Sequence, residues 1–125
     1  MIAEKTDCQV AEIAIEEGIM FVDYKKGYLD LEGAKLTVKT RMELANGRLF
    51  PVLVNDLGIT GMSKEARDFF SSSSGTVGLK AGAILSRSVF TTAIANFYLK
   101  VSRPNIPARM FTSREKAIQW LSQYK

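Results

Sequence analysis

Three residues in the middle of the chain, Asp56, Ser63 and Arg67, have the types and spacing to do chemistry. Asp56, beside Asn55, closes a short apolar run; Ser63 opens a helical stretch; Arg67 follows it by about one helical turn. A serine at a helix start accepts a hydrogen bond from a free backbone amide, which stabilises the helix by about 1 kcal/mol. The same position suits a phosphate, which would meet free amides and the positive end of the helix dipole, with Arg67 as a counter-ion. Asp56 has no second carboxylate or cation at a recognisable spacing, so its plain reading is side-chain-to-backbone hydrogen bonding in a loop. Histidine is absent from the 125 residues. That excludes a Ser-His-Asp triad, a Cys-His pair, an imidazole zinc site and a histidine general base. Cys8 is the single cysteine, so there is no internal disulfide and no cysteine-based metal site. No catalytic residue, metal or cofactor is expected, and the chain reads as non-enzymatic.

A second candidate is a surface. Ser88–Val101 reads as a helix whose apolar residues leave only a narrow polar stripe of Ser88, Thr92, Asn96 and Lys100. One docked helix face needs about 100° of apolar arc, and this helix offers more. A homodimer interface explains the excess most simply; burial within the domain or a hydrophobic ligand are the alternatives. Phe90, Ile94, Phe97 and Tyr98 would carry that interface or ligand contact. Arg87, Lys100 and Arg103 flank the helix, where they suit an anionic lipid surface or simply complement the helix dipole.

Positioning these residues requires a framework, and the chain punctuates one clearly. Gln9–Ile15 and Ile19–Tyr24 read as a hairpin about Glu16-Glu17-Gly18. Leu31–Ala45 is a helix, capped by Asp30 and closed by Asn46-Gly47. Phe50–Val54 is a strand buried on both faces, with Pro51 tolerated at its beginning. A loop, Asn55–Met62, leads to the helix begun by Ser63 and ended by the serine run and Gly75. Lys80–Leu85 is a buried strand whose Ala-Gly-Ala admits a closely packed helix. Arg109–Phe111 is the last strand, and Thr112-Ser113-Arg114-Glu115 reads as a capping box for the final helix. The order ββαβαβαβα implies an α/β fold with a mixed, mostly parallel sheet flanked by helices. Ligands of such sheets bind at the carboxyl ends of strands, here the Asn55–Met62 and Ser86–Ser88 loops.

The length suits one domain, 1–125, and the composition, 46% hydrophobic and 24% charged, is that of a soluble globular protein. No apolar run approaches the roughly 20 residues that span a bilayer, and the first residues lack the apolar core of a secretory signal, so a cytoplasmic location is expected. The net charge of +4 is uneven. Residues 1–75 hold 9 basic and 12 acidic side chains, a net of −3; residues 76–125 hold 8 basic and 1 acidic, a net of +7. This bias suits an anion-facing surface, or complementarity with the acidic first part within a monomer or across a dimer. Nucleic-acid binding is not expected, because no basic helix or aromatic-interleaved strand appears.

This element order, with VLVNDLGITGMSKEARDFF and the terminal Ala117, Trp120 and Leu121, resembles the STAS superfamily over about Gln9–Tyr124. It is similar in particular to an uncharacterised branch of bacterial STAS-like proteins, related in fold to anti-sigma-factor antagonists and to lipid-binding CRAL-TRIO domains. The resemblance implies a STAS-like fold and a regulatory or protein-interaction role. It places a phosphorylatable residue at Ser63, following the strand-end Asp56-Leu57-Gly58; where those antagonists carry an Asp-Ser-Ser-Gly type of sequence, this chain has Gly61-Met62-Ser63-Lys64. The alternative role is binding or carriage of a hydrophobic or anionic small molecule such as a lipid.

Overall fold

Alternation of small apolar and acidic residues makes a strand with one dry face. Strand β2 (Ala11–Glu16) buries Ala11, Ile13 and Ile15 and turns Glu12 and Glu16 outward. In this computed structural model, which describes residues 4–87, 96 and 105–125, Glu17 and Gly18 adopt φ of 50° and 81°. Two left-handed residues in succession match the twist of an antiparallel pair. They return the chain into β3 (Ile19–Tyr24), whose ends lie opposite Glu16 and Ala11. A strand that sequence reasoning does not foresee precedes them. Strand β1 (Glu4–Asp7) is polar throughout, pairs antiparallel with β2, and is tied down by Arg48, whose guanidinium donates to both Glu4 carboxylate oxygens at 3.0 and 2.7 Å.

The rest of the main sheet is parallel. Strands β5 (Phe50–Asn55), β7 (Leu79–Leu85) and β8 (Ala108–Phe111) extend it in the order β1-β2-β3-β5-β7-β8. Parallel neighbours require crossovers. Helix α1 (Leu31–Ala45) makes the first; α2 (Lys64–Ser71) and the single turn α3 (Ser73–Thr76) make the second. Phe50, Pro51, Val52 and Leu53 are all buried, as a strand covered on both faces demands. Ala11, Ile13, Ile15, Met20, Val22 and Val52 form one core with Ala45 of α1. On the other face Ile19, Phe21, Leu53, Ala81, Ala83 and Leu85 pack with Ala117 and Leu121 of the final helix, α4 (Arg114–Leu121). The small residues at 81 and 83 let that helix approach closely.

Helix α1 begins and ends where its cap residues place it. Asp30 accepts from the Gly33 N–H at 2.9 Å, and Asn46, at φ 49°, donates its N–H to the Met42 carbonyl. Thr37 and Thr40, poor helix formers, donate their hydroxyls to the Gly33 and Leu36 carbonyls, which satisfies them within the helix.

Three expectations change. The Asn55–Met62 segment is not a plain loop: β4 (Gly27–Leu29) and β6 (Ile59–Met62) form a separate two-stranded parallel sheet. Gly75 does not terminate α2. That helix stops at Ser72, which in turn caps α3, and Gly75 is buried against the end of α2, where a Cβ would lie within 2.1 Å of the Phe69 carbonyl oxygen. Finally, α4 is capped by Ser113 rather than Thr112. Ser113 is the extended residue before the first turn, so its hydroxyl accepts from the Lys116 N–H at 3.3 Å. The expected helix Ser88–Val101, with Phe90, Ile94, Phe97 and Tyr98, lies outside the described residues except for Asn96.

Candidate functional site

The carboxyl end of β5 is folded back by its own side chains. Asn55 donates its amide to the Asp23 carboxylate at 3.1 Å and accepts from the Leu57 N–H at 3.2 Å. The Ile59 N–H then donates to the Asp56 carbonyl at 2.9 Å, closing a tight turn. Gly58 lets that turn lie against the corner between β3 and β4: a Cβ there would be 3.1 Å from the Tyr24 carbonyl oxygen, and the Gly27 N–H reaches the Gly58 carbonyl at 3.2 Å. Strand β6 next runs beside β4, with Leu29 opposite Met62, and the Ser63 N–H donates to the Leu29 carbonyl. The Arg87 guanidinium, two residues past β7, donates to the Leu57 carbonyl.

A cleft of about 800 Å³ lies along this strap. Lys26 from the β3–β4 corner, Asp56, residues 57–62, Leu85 and Arg87 from the end of β7, and Met110 of β8 line it. This is the position at which parallel sheets hold ligands. Asp56 is the carboxylate of that lining, and burial pushes its carboxyl above the usual range, with its own backbone N–H opposing. Lys26 and Arg87 are both exposed.

The expected site residues divide between two places. Asp56 lines the cleft, whereas Ser63 and Arg67 lie beyond β6, outside that lining. Ser63 is the N-cap of α2, its hydroxyl accepting from the Ala66 N–H at 3.1 Å, and the Arg67 N–H donates to its carbonyl. The Arg67 side chain is exposed on a helix face that also carries a Lys64–Asp68 ion pair of 3.2 Å.

Sequence reasoning missed two features. Tyr28 on β4 is 63% exposed, the most open of the large apolar residues described. Its ring passes over Gly61, where a Cβ would come within 3.1 Å of it. Two lysines, a glycine and a lone tyrosine carry no periodicity, so only the pairing of Tyr28 with Gly61 could have signalled it. The second feature is Arg41, 5% exposed within α1. It donates to the Gly75 and Val77 carbonyls at 2.8 and 3.2 Å, while its Nε has no partner. Burial pulls its pKa down to about 10, opposed by nearby Tyr24, so it is charged at neutral pH; burial pushes the Tyr24 phenol up to about 12. Among the described residues, no group of three or more cysteine and carboxylate side chains could hold a metal ion, and no helix is long and apolar enough to cross a membrane.

No curated protein matches this chain in sequence. A crystal structure of an uncharacterised Shewanella loihica PV-4 protein, from the DUF3478 family and with a SpoIIAA-like fold, superposes with a TM-score of 0.61. The two are 16% identical, over 97% of this chain and 96% of the other. Their likeness establishes the fold, a STAS-like α/β sheet of mostly parallel strands flanked by helices. The model of one sequence family, a domain of unknown function, matches residues 13–125, and the chain belongs to that family, DUF7793.

Proposed function

We propose that this protein is a non-enzymatic regulatory domain that acts through protein contacts, with the junction from Asp56 to Arg67 as its partner surface. The observation that carries this reading is Tyr28, an exposed aromatic packed over Gly61 on a small sheet of its own, next to that junction. Aromatic residues with a polar rim are the usual anchors of protein interfaces. Thr60, Lys64 and Arg67 supply an exposed polar rim on the neighbouring β6 and α2. Ser63 lies within the same surface, at the one place on α2 where a phosphate would meet free amides. Such a modification would displace the hydroxyl's bond to Ala66 and put negative charge beside Arg67.

The test compares proteins captured from the source cell by the unaltered chain with those captured by Tyr28→Ala, Arg67→Glu and Ser63→Asp. A partner that binds the unaltered chain directly, and is lost with Tyr28→Ala and Arg67→Glu while circular dichroism shows intact folding, is expected. Identical binding by all four chains would remove this surface as the interface, and an unaltered response to Ser63→Asp would remove the switch.

A further inference from the structure

Lys26 and Arg87 are far apart in the sequence, yet one strap brings both to the same cleft. Gly58 packs its turn on the β3–β4 corner that carries Lys26, and the neighbouring Leu57 carbonyl accepts from Arg87. These cations are therefore placed by the fold, unlike charges scattered over a surface. The lining includes one carboxylate, Asp56, against the two. Beside them lie apolar side chains: Leu57 and Ile59 on the strap, Leu85 on β7 and Met110 on β8. A volume of about 800 Å³ falls within the range of small-molecule sites.

We propose that this cleft binds a small amphiphilic anion, a carboxylate or phosphate monoester on a short apolar body, with its head taken by Lys26 and Arg87 and its body by Leu57, Ile59, Leu85 and Met110. The mixture of lining chemistries decides the class. A neutral apolar ligand would cover the apolar residues and leave two cations facing a single carboxylate. A bare inorganic anion would pair with the cations and leave the apolar residues wet. Only a ligand with both parts uses the whole lining, and neither part depends on the protein-contact reading above.

The test is a nuclear magnetic resonance titration of the full chain with octanoate, octyl phosphate, octanol and inorganic phosphate. Both octyl anions, or one of them, should bind saturably and shift the amides of residues 57–62 and of Leu85 and Arg87. Octanol and inorganic phosphate should each bind roughly tenfold more weakly, since each lacks one half of the interaction. Lys26→Gln and Arg87→Gln should each weaken the anion by roughly fivefold without affecting octanol. Higher ionic strength should weaken the octyl anions but not octanol. Preference between octanoate and octyl phosphate identifies the head. Octanol binding as well as the anions, anion binding unchanged in Lys26→Gln, shifts confined to another part of the molecule, or no saturable binding of either octyl anion would each overturn the proposal. Lys26 is exposed and its side chain makes no hydrogen bond or ion pair among the described residues, so its variant keeps the test decisive even where Arg87→Gln disturbs the strap.

Discussion

Arg41 shows how one side chain can tie two distant segments of the chain together. Its guanidinium holds the carbonyls of Gly75 and Val77, 34 and 36 residues further along. Removing it leaves those acceptors without their donor and opens a cavity, so Arg41→Ala should destabilise the fold by about 2–4 kcal/mol in chemical denaturation. Arg41→Met restores the packing but not the hydrogen bonds, and should fall between the two. Tyr24, on the strand that α1 covers, adds a pH dependence of its own at alkaline pH. Burial raises its phenol from 10.0 to about 12. The folded state thus favours the neutral phenol. Its contribution is complete below about pH 10 and is lost as pH rises through about 12. An ultraviolet titration should show a tyrosine ionising near pH 12, and Tyr24→Phe should remove that step.

At the scale of elements, the outer edge of β8 is the most informative. Met110 offers its N–H and its carbonyl away from β7, and the Asn96 side chain takes both, accepting at 2.7 Å and donating at 3.0 Å. One amide side chain thereby occupies the positions that another strand would fill, which blunts that edge. Asn96→Ala should free that pair. The expected result is a loss of about 1–2 kcal/mol together with concentration-dependent association, read by thermal unfolding and sedimentation. The elements also show why some structure was legible in the sequence and some was not. The caps at Asp30 and Ser63 and the turn at Glu17-Gly18 depend on neighbours within four residues, so residue type alone marks them. Strands β4 and β6 consist of Gly-Tyr-Leu and Ile-Thr-Gly-Met, too short and glycine-broken to show a period of two. They exist because they pair with each other across some 30 residues. Arg41 was invisible for the same reason: nothing beside it predicts the carbonyls it binds. Asp56 was legible as a strand-end residue, but its companions Lys26 and Arg87 meet it only through the strap.

In the whole molecule, the uneven charge is partly folded inward. Arg114, from the basic last third, lies 3.9 Å from Asp23 and 5.0 Å from the Phe21 ring, and the Lys125 stem lies against Gly18. These exposed contacts add little stability each, but they set basic α4 against the acidic β2–β3 hairpin. The same view predicts what β1 contributes. It is polar, half-exposed Glu4–Arg48 pairing is its main side-chain tie, and the family match begins only at residue 13. A chain starting at Gln9 should keep the fold and lose about 1 kcal/mol, a fall of a few degrees in Tm by circular dichroism; collapse of the fold would show that β1 is integral to the core. The small β4–β6 ribbon has a different kind of consequence. Residues 59–62 of β6 line the cleft, and the Tyr28 ring of β4 packs over Gly61, one of them. Whatever tilts β6 from within must carry Tyr28 with it, and thermodynamic linkage makes that transmission run equally in both directions. Tyr28→Trp would then act as an optical gauge of events in the cleft, reporting them through the ribbon.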